Sequence, residues 1–142
     1  MDTAMDKYEE LFTRDNFADH LFIELVEVRE GYARVQMPFR EEHKNFFGTA
    51  HGGAIFALAD VAFGAAANTR EVVTVATHVS IDFLKAPRDG SLLIGTCREN
   101  FLGKWVGHYT MEVREEGGEV VALCQGWVYR TRRPLFPEAE ST

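Results

Sequence analysis

The chain has 142 residues, enough for one domain with a single substantial core, and 46% hydrophobic with 26% charged residues is ordinary for a globular protein. A net charge of −7 argues against general nucleic-acid binding. The acidic N-terminus offers neither a basic nor an apolar leader segment, and the two cysteines, Cys97 and Cys124, read as reduced packing residues, so a cytoplasmic setting is expected.

Asp6 to about Arg14 reads as a short helix in an N-terminal extension, residues 1–15. Leu21 to Arg29 and Tyr32 to Met37 read as strands joined by a tight turn at Glu30-Gly31, and Arg40 to Ala50 as a polar loop. Between His51 and Arg70 lies a helical stretch whose only ionisable residue is Asp60. Ala54, Ile55, Phe56, Leu58, Val61, Ala62 and Phe63 put apolar groups on every side of it, which predicts a helix buried all round. Its length reaches only the lower limit for a membrane span, about 18 residues, and its Gly-Gly start, alanine content and central Asp fit a buried core helix instead. An isolated carboxylate there is costly unless paired or used, because burial raises its pKa.

Val73 to Lys85 alternates as a half-buried strand, and Pro87 to Gly90 breaks it. Leu92 to Glu99, Trp105 to Arg114 and Val120 to Thr131 follow as strands, the last two forming a hairpin around Gly117-Gly118; the tail, residues 133–142, should fray. Two strands, a helix and four strands describe an α+β domain, an antiparallel sheet against one long helix. One sheet cannot cover a helix that is apolar on all sides, so a second copy of the chain should cover the rest.

The run Asn45-x-x-Gly48-x-x-His51-Gly52-Gly53, then Leu58-Ala59-Asp60, then Val79 to Leu84 and Gln125 to Arg130, resembles the hotdog-fold acyl-CoA thioesterases of the phenylacetate-pathway type. The likeness spans Asn16 to Thr131. It implies a hotdog fold, about six strands wrapped around a central helix, and hydrolysis of acyl-CoA thioesters with aromatic or medium-chain acyl groups. It also implies that Gly52 N–H meets the thioester oxygen while Asp60 attacks the carbonyl or activates the attacking water. The donors at a helix N-terminus are unpaired and suit a developing oxyanion, and glycines there let substrate come close to the backbone.

Asn45 would orient water or carbonyl, or is a turn residue before Gly48. His51 is either a ligand contact or a residue bonding the loop at the start of the helix, and Thr77 either holds the attacking water or is structural. Gly53, Phe46, Phe47, Phe56 and Phe63 are candidates for the substrate pocket, with core packing the ordinary role of a Phe on a buried helix. Lys85, Arg88, Lys104, Arg130, Arg132 and Arg133 are candidates for the coenzyme A phosphates, or plain solvated charges. Coenzyme A is here part of the substrate, so no separate cofactor is expected, and the histidines show no metal-ligand spacing.

Motifs of serine hydrolases, zincins, thioredoxin-like proteins and nucleotide folds are missing from the sequence, and no His stands a few residues after Asp60 as a hydratase would require. A non-catalytic module binding acyl-CoA is the alternative, with Asp60 structural. Gly52 and Asp60 are ~12 Å apart along one helix at 1.5 Å per residue, too far to touch one carbon. A two-fold dimer with antiparallel helices would join Gly52 of one copy to Asp60 of the other; the resemblance implies the same shared site, and a homotetramer.

Overall fold

The computed structural model describes residues 3–137. Helices α1 (Thr3–Phe12) and α2 (Asn16–His20) precede strands β1 (Glu24–Arg29) and β2 (Tyr32–Pro38), then a short 3-10 turn, helix α3 (Gly52–Ala67), and strands β3 (Val72–Phe83), β4 (Leu92–Leu102), β5 (Val106–Glu115) and β6 (Val120–Pro134). The six strands form one sheet in the order β1-β2-β4-β5-β6-β3, antiparallel at every pairing, and α3 lies against its inner face. This is the hotdog arrangement that the motif pattern implies. No helix among the described residues is long and apolar enough to cross a membrane.

The alternation of the strands decides which side chains meet the helix. Ala33, Val35 and Met37 of β2, Leu93 and Cys97 of β4, Tyr109, Met111 and Val113 of β5, and Ala122, Cys124 and Val128 of β6 are all buried under α3. Two bare positions let the helix close down on the sheet. A Cβ on Gly126 would lie 2.7 Å from the Phe63 ring, and one on Gly95 would lie 3.0 Å from the Leu58 side chain. At the far end of α3 the Asn68 amide accepts from Thr74 N–H and donates to Thr74 C=O and Gly64 C=O, which ties the helix to β3.

Four expectations need correction. First, burial of α3 on all sides is not reached within one chain, and one face stays open, as expected of a helix covered by a single sheet: Gly53, Asp60 and Gly64 are exposed, and Phe56 and Val61 are half-buried. These positions follow the helical repeat, so they form one open stripe facing away from the sheet. Second, the strand expected from Leu21 begins only at Glu24: α2 occupies the stretch before it, with Leu21 as its C-cap and the Asp15 carboxylate capping its start by accepting Ala18 N–H at 3.0 Å.

Third, the tail is held as far as Phe136. Pro134 pairs with Val72, Leu135 N–H donates to Glu71 C=O at 2.8 Å, and the Phe136 ring meets Tyr8 edge-on at 5.0 Å. Residues 138–142 lie outside the described residues. Fourth, β3 is not a regular half-buried strand. Its register with β6 shifts between Val72 and Thr74 and again between Ala76 and His78, it closes one end of the sheet, and Val75 to His78 are exposed.

Candidate active site

The start of α3 separates two adjacent backbone donors. His51 is the N-cap, with extended backbone, and its Nδ1 accepts Gly53 N–H at 2.8 Å. Its carbonyl takes the N–H groups of Ala54 and Ile55. Among the described residues nothing accepts Gly52 N–H. That donor points from the positive end of a 16-residue helix, so it is free for an anionic or polarised oxygen. Gly52 opens on a depression of about 290 Å³ bounded by Ala50, Ile55 and the segment from Phe83 to Pro87. A Cβ at Gly52 would stand 3.3 Å from the Phe83 ring, and it would narrow that depression.

The loop before the helix is built on Asn45. Its Oδ1 accepts from Phe47 N–H at 2.9 Å and from Thr49 N–H at 3.2 Å, and Asn45 N–H donates to Thr49 C=O at 2.8 Å. The turn role of Asn45 is therefore real, and it uses the carbonyl half of the amide. The Nδ2 donors have no acceptor among the described residues, so the group can give hydrogen bonds to a ligand but has no lone pair left in good position. The same turn holds Phe46 and Phe47 out in solvent, 90% and 77% exposed, with ring centroids 4.2 Å apart.

Asp60 opens from the middle of the bare stripe of α3 onto a groove of about 820 Å³. Leu11 and Phe12 of α1, Phe17 and Ala18 of α2, Ile23 and Leu25 near β1, and Ala57 and Val61 of α3 make its apolar walls. Although the carboxyl reaches the groove, those walls remove much of its water, and its pKa is raised; burial is the larger cause and the negative charge of Asp15 the smaller. A carboxylate that is partly desolvated and, among the described residues, has no ion-pair partner is more basic than usual, which suits a general base or nucleophile.

The remaining candidates divide. Phe63 is 1% exposed and packs into the core beside Tyr109, ring centroids 5.7 Å apart, so it is a core residue and not a wall of the groove. Phe56 is half-buried on the open stripe. Thr77 sits in the second bulge of β3, where its hydroxyl donates to Trp127 C=O at 3.2 Å. Lys85 Nζ and Arg88 Nε lie 3.1 and 3.0 Å from the two carboxylate oxygens of Glu115. That clamp, with the Arg88 hydrogen bond foremost, lowers the Glu115 pKa to about 2. Both cations are thus already engaged by a buried acid, whereas Lys104 is exposed on the β4–β5 turn with its ammonium 5.3 Å from the Trp105 ring centroid.

Two residues at the groove escaped sequence reasoning. Asp15 carries a recognisable signal, since Asp before Asn-Phe-Ala is a good helix cap, but nothing in the sequence sets it near Asp60. Phe17, 62% exposed on the groove, lies outside the motif and has no periodic signature.

Within one chain the start of α3 brings together His51, Gly52, Gly53 and the depression against Phe83, while Asp60 belongs to the separate groove of α1 and α2. Residues 47–122 match the thioesterase superfamily model. The acyl-coenzyme A thioesterase PaaI of Escherichia coli is 33% identical over 129 residues, 91% of this chain and 92% of that one. The solved structure of the E. coli PaaI protein, from the phenylacetic acid degradation operon, superposes with a TM-score of 0.87 at 31% identity, covering 92% of this chain and 95% of that one. The TT0310 protein of Thermus thermophilus superposes with a TM-score of 0.79 at 36% identity over 83% of this chain and 99% of that one. The chain belongs to the thioesterase superfamily, as a hotdog-fold member of the PaaI type.

Proposed function

We propose that this protein hydrolyses acyl-CoA thioesters, taking aromatic or medium-chain acyl groups, at two sites shared between the subunits of a two-fold dimer. The observation that carries the reading is the pairing, on one helix, of a free backbone donor at Gly52 with a carboxylate at Asp60 that opens from the helix's bare stripe onto an apolar-walled groove. Similarity to the thioesterase PaaI supports the reaction class.

The two groups are ~12 Å apart along α3, so neither can complete a site for the other within one chain. Antiparallel contact of two α3 stripes sets the partner's Gly52 against Asp60. The exposed glycines make such contact close: a Cβ at Gly64 would meet nothing within 4 Å.

In this site the thioester carbonyl accepts Gly52 N–H, and Asn45 Nδ2 steadies the carbonyl or the attacking water. Asp60 of the other copy adds to the carbonyl carbon, or takes a proton from water as that water adds. Collapse of the tetrahedral intermediate expels the thiolate of coenzyme A; on the water route it takes the proton that Asp60 removed from water and the acid is released directly, whereas on the nucleophilic route it takes a proton from solvent and leaves an acyl–Asp60 anhydride, which water then hydrolyses to the acid and the free carboxylate. The acyl group occupies the groove beside Asp60, against Phe17, Ile23, Leu25 and Val61.

A continuous thiol-release assay over phenylacetyl, hydroxylated aromatic and medium-chain acyl-CoAs tests the function. Turnover of at least one class is expected. Tight binding of all of them without turnover would overturn the hydrolase reading in favour of a binding module.

A further inference from the structure

One buried histidine takes no part in the chemistry at the thioester. His43 is 1% exposed, with the Phe39 ring stacked on it at 6.3 Å and the Phe22 ring edge-on at 6.1 Å. Its two ring nitrogens are used in opposite senses. Nδ1 accepts Arg40 N–H at 2.9 Å and Nε2 donates to Leu21 C=O at 2.7 Å, so the proton sits on Nε2 and the ring is held in one orientation.

The two bonds lead to two different parts of the site. On the Nδ1 side, the bond from Arg40 closes the 3-10 turn Glu41–His43. The His43 carbonyl accepts His51 N–H at 2.7 Å, and Lys44 and Ala50 pair as an isolated bridge beside it. The loop that carries Asn45 is thereby pinned at its base, and its last residue is the N-cap that leaves Gly52 N–H free.

On the Nε2 side, Leu21 is the C-cap of α2 and Phe22 after it has a φ of +61°. An aromatic residue in that region is strained and persists only where its surroundings fix it. The His43 bond to Leu21 C=O and the Arg40 guanidinium, 4.4 Å over the Phe22 ring, hold this turn in place. It joins two walls of the groove beside Asp60, Phe17 and Ala18 before it and Ile23 and Leu25 after it, while Leu21, Phe22 and His43 stand behind those walls.

We infer that His43 is a positioning residue with two separable outputs. Its Nε2–H bond sets the groove wall and with it the acyl preference. Its Nδ1 bond sets the Asn45 loop and the start of α3, and with them the alignment of the Gly52 donor and kcat. The meaning of both outputs rests on the thioesterase reading.

Two substitutions divide the ring. An asparagine amide oxygen lies near the place of Nδ1 and a glutamine amide nitrogen near that of Nε2, so H43N keeps the Arg40 bond and loses the Leu21 bond, and H43Q does the reverse. Kinetics of the full chain with phenylacetyl-CoA and octanoyl-CoA, and calorimetric affinities for S-phenylethyl- and S-octyl-CoA, which cannot be hydrolysed, read both outputs. H43N is expected to change the ratio of kcat/KM between the two substrates, and the ratio of the two thioether affinities, by about fivefold, the scale of one net hydrogen bond. H43Q should leave both ratios in place and lower kcat by about fivefold for both substrates.

The same change in both variants, or no change in either, overturns the proposal and leaves His43 a core residue only. Melting curves check that the variants fold. Phe22→Gly supplies a substitution that the turn accepts, since glycine takes a positive φ freely. It removes the ring packed on His43 and should move the acyl ratios in the direction of H43N; if neither His43 variant folds, unchanged ratios in Phe22→Gly overturn the proposal. If the wild type binds the thioethers but hydrolyses neither substrate, the hydrolase reading fails while the thioether ratios still decide, and an unmoved ratio in H43N overturns the positioning role. No binding of either thioether by the wild type overturns both.

Discussion

His51 Nδ1 accepts the N–H of Gly53 at 2.8 Å, and this one hydrogen bond decides which of two neighbouring glycines keeps a free donor. The histidine therefore acts as a positioning residue through its ring nitrogen, which must be unprotonated to accept. Replacing it removes a helix cap and lets Gly53 N–H compete with Gly52 N–H for solvent or substrate. His51→Ala is expected to cost about 1 kcal/mol of stability, the usual scale for a lost N-cap. Its loss of kcat should be well below that of Asp60→Asn. Melting curves and steady-state kinetics check both, and an intact melting temperature with kcat as low as in Asp60→Asn would place His51 in the chemistry itself.

Asp60→Asn should lower kcat by at least ~100-fold, the scale expected for losing a general base, with a smaller change in KM. The wild-type rate should rise with pH through a pKa above the ordinary Asp value of about 3.9, because burial raises it. Asp15→Asn keeps a capping side chain for α2 but removes the nearby negative charge, so that limb should move to lower pH. The sign for stability follows from the same shift. A carboxyl with raised folded pKa contributes stability below its unfolded pKa and loses it as pH rises through the folded value. At neutral pH, Asp60→Asn should thus melt at or above the wild-type temperature. A pH–rate profile of Asp15→Asn that superposes on wild type would remove Asp15 from the tuning of Asp60.

The two phenylalanines Phe17 and Phe63 should separate specificity from stability. Phe17 is exposed on the groove, so Phe17→Ala should change relative kcat/KM among acyl groups, by about 1–3 kcal/mol of discrimination, while leaving the melting temperature nearly unchanged. Phe63 fills the space that Gly126 leaves under the helix. Phe63→Ala should cost about 3–5 kcal/mol of stability. If Phe17→Ala alters no substrate's kcat/KM, the groove is not the acyl pocket.

The strands were legible because their alternation survives burial of one face: Gly107, Tyr109, Met111 and Val113 could be assigned inward from the sequence alone, and they are. That α3 leaves a face for a second copy could be expected from the sequence, but which face could not: Ala, Gly and Phe stand on every side of the helix, and composition records apolar surface and not what covers it. Phe63 and Phe56 look alike in the sequence, and their angular phase relative to Leu58 separates core from stripe only once the sheet is in place. Asn45, Gly52 and Asp60 became candidates through the resemblance to the hotdog thioesterases that their motif carries. The groove wall built by α1 and α2 could not be read at all, since the placing of Phe17 across the groove from α3 is set by the path of the chain.

Complementation tests most directly whether Gly52 and Asn45 of one copy act with Asp60 of the other. Asn45→Ala and Asp60→Asn proteins, each of low activity, are mixed under dissociating conditions and allowed to reassociate at random. About half of the dimers should then be mixed, and each mixed dimer holds one site with both lesions and one with neither. Recovery of about a quarter of wild-type activity is the predicted result. No recovery in dimers verified as mixed would contradict the shared site, since residues acting within one chain would leave a lesion in every site.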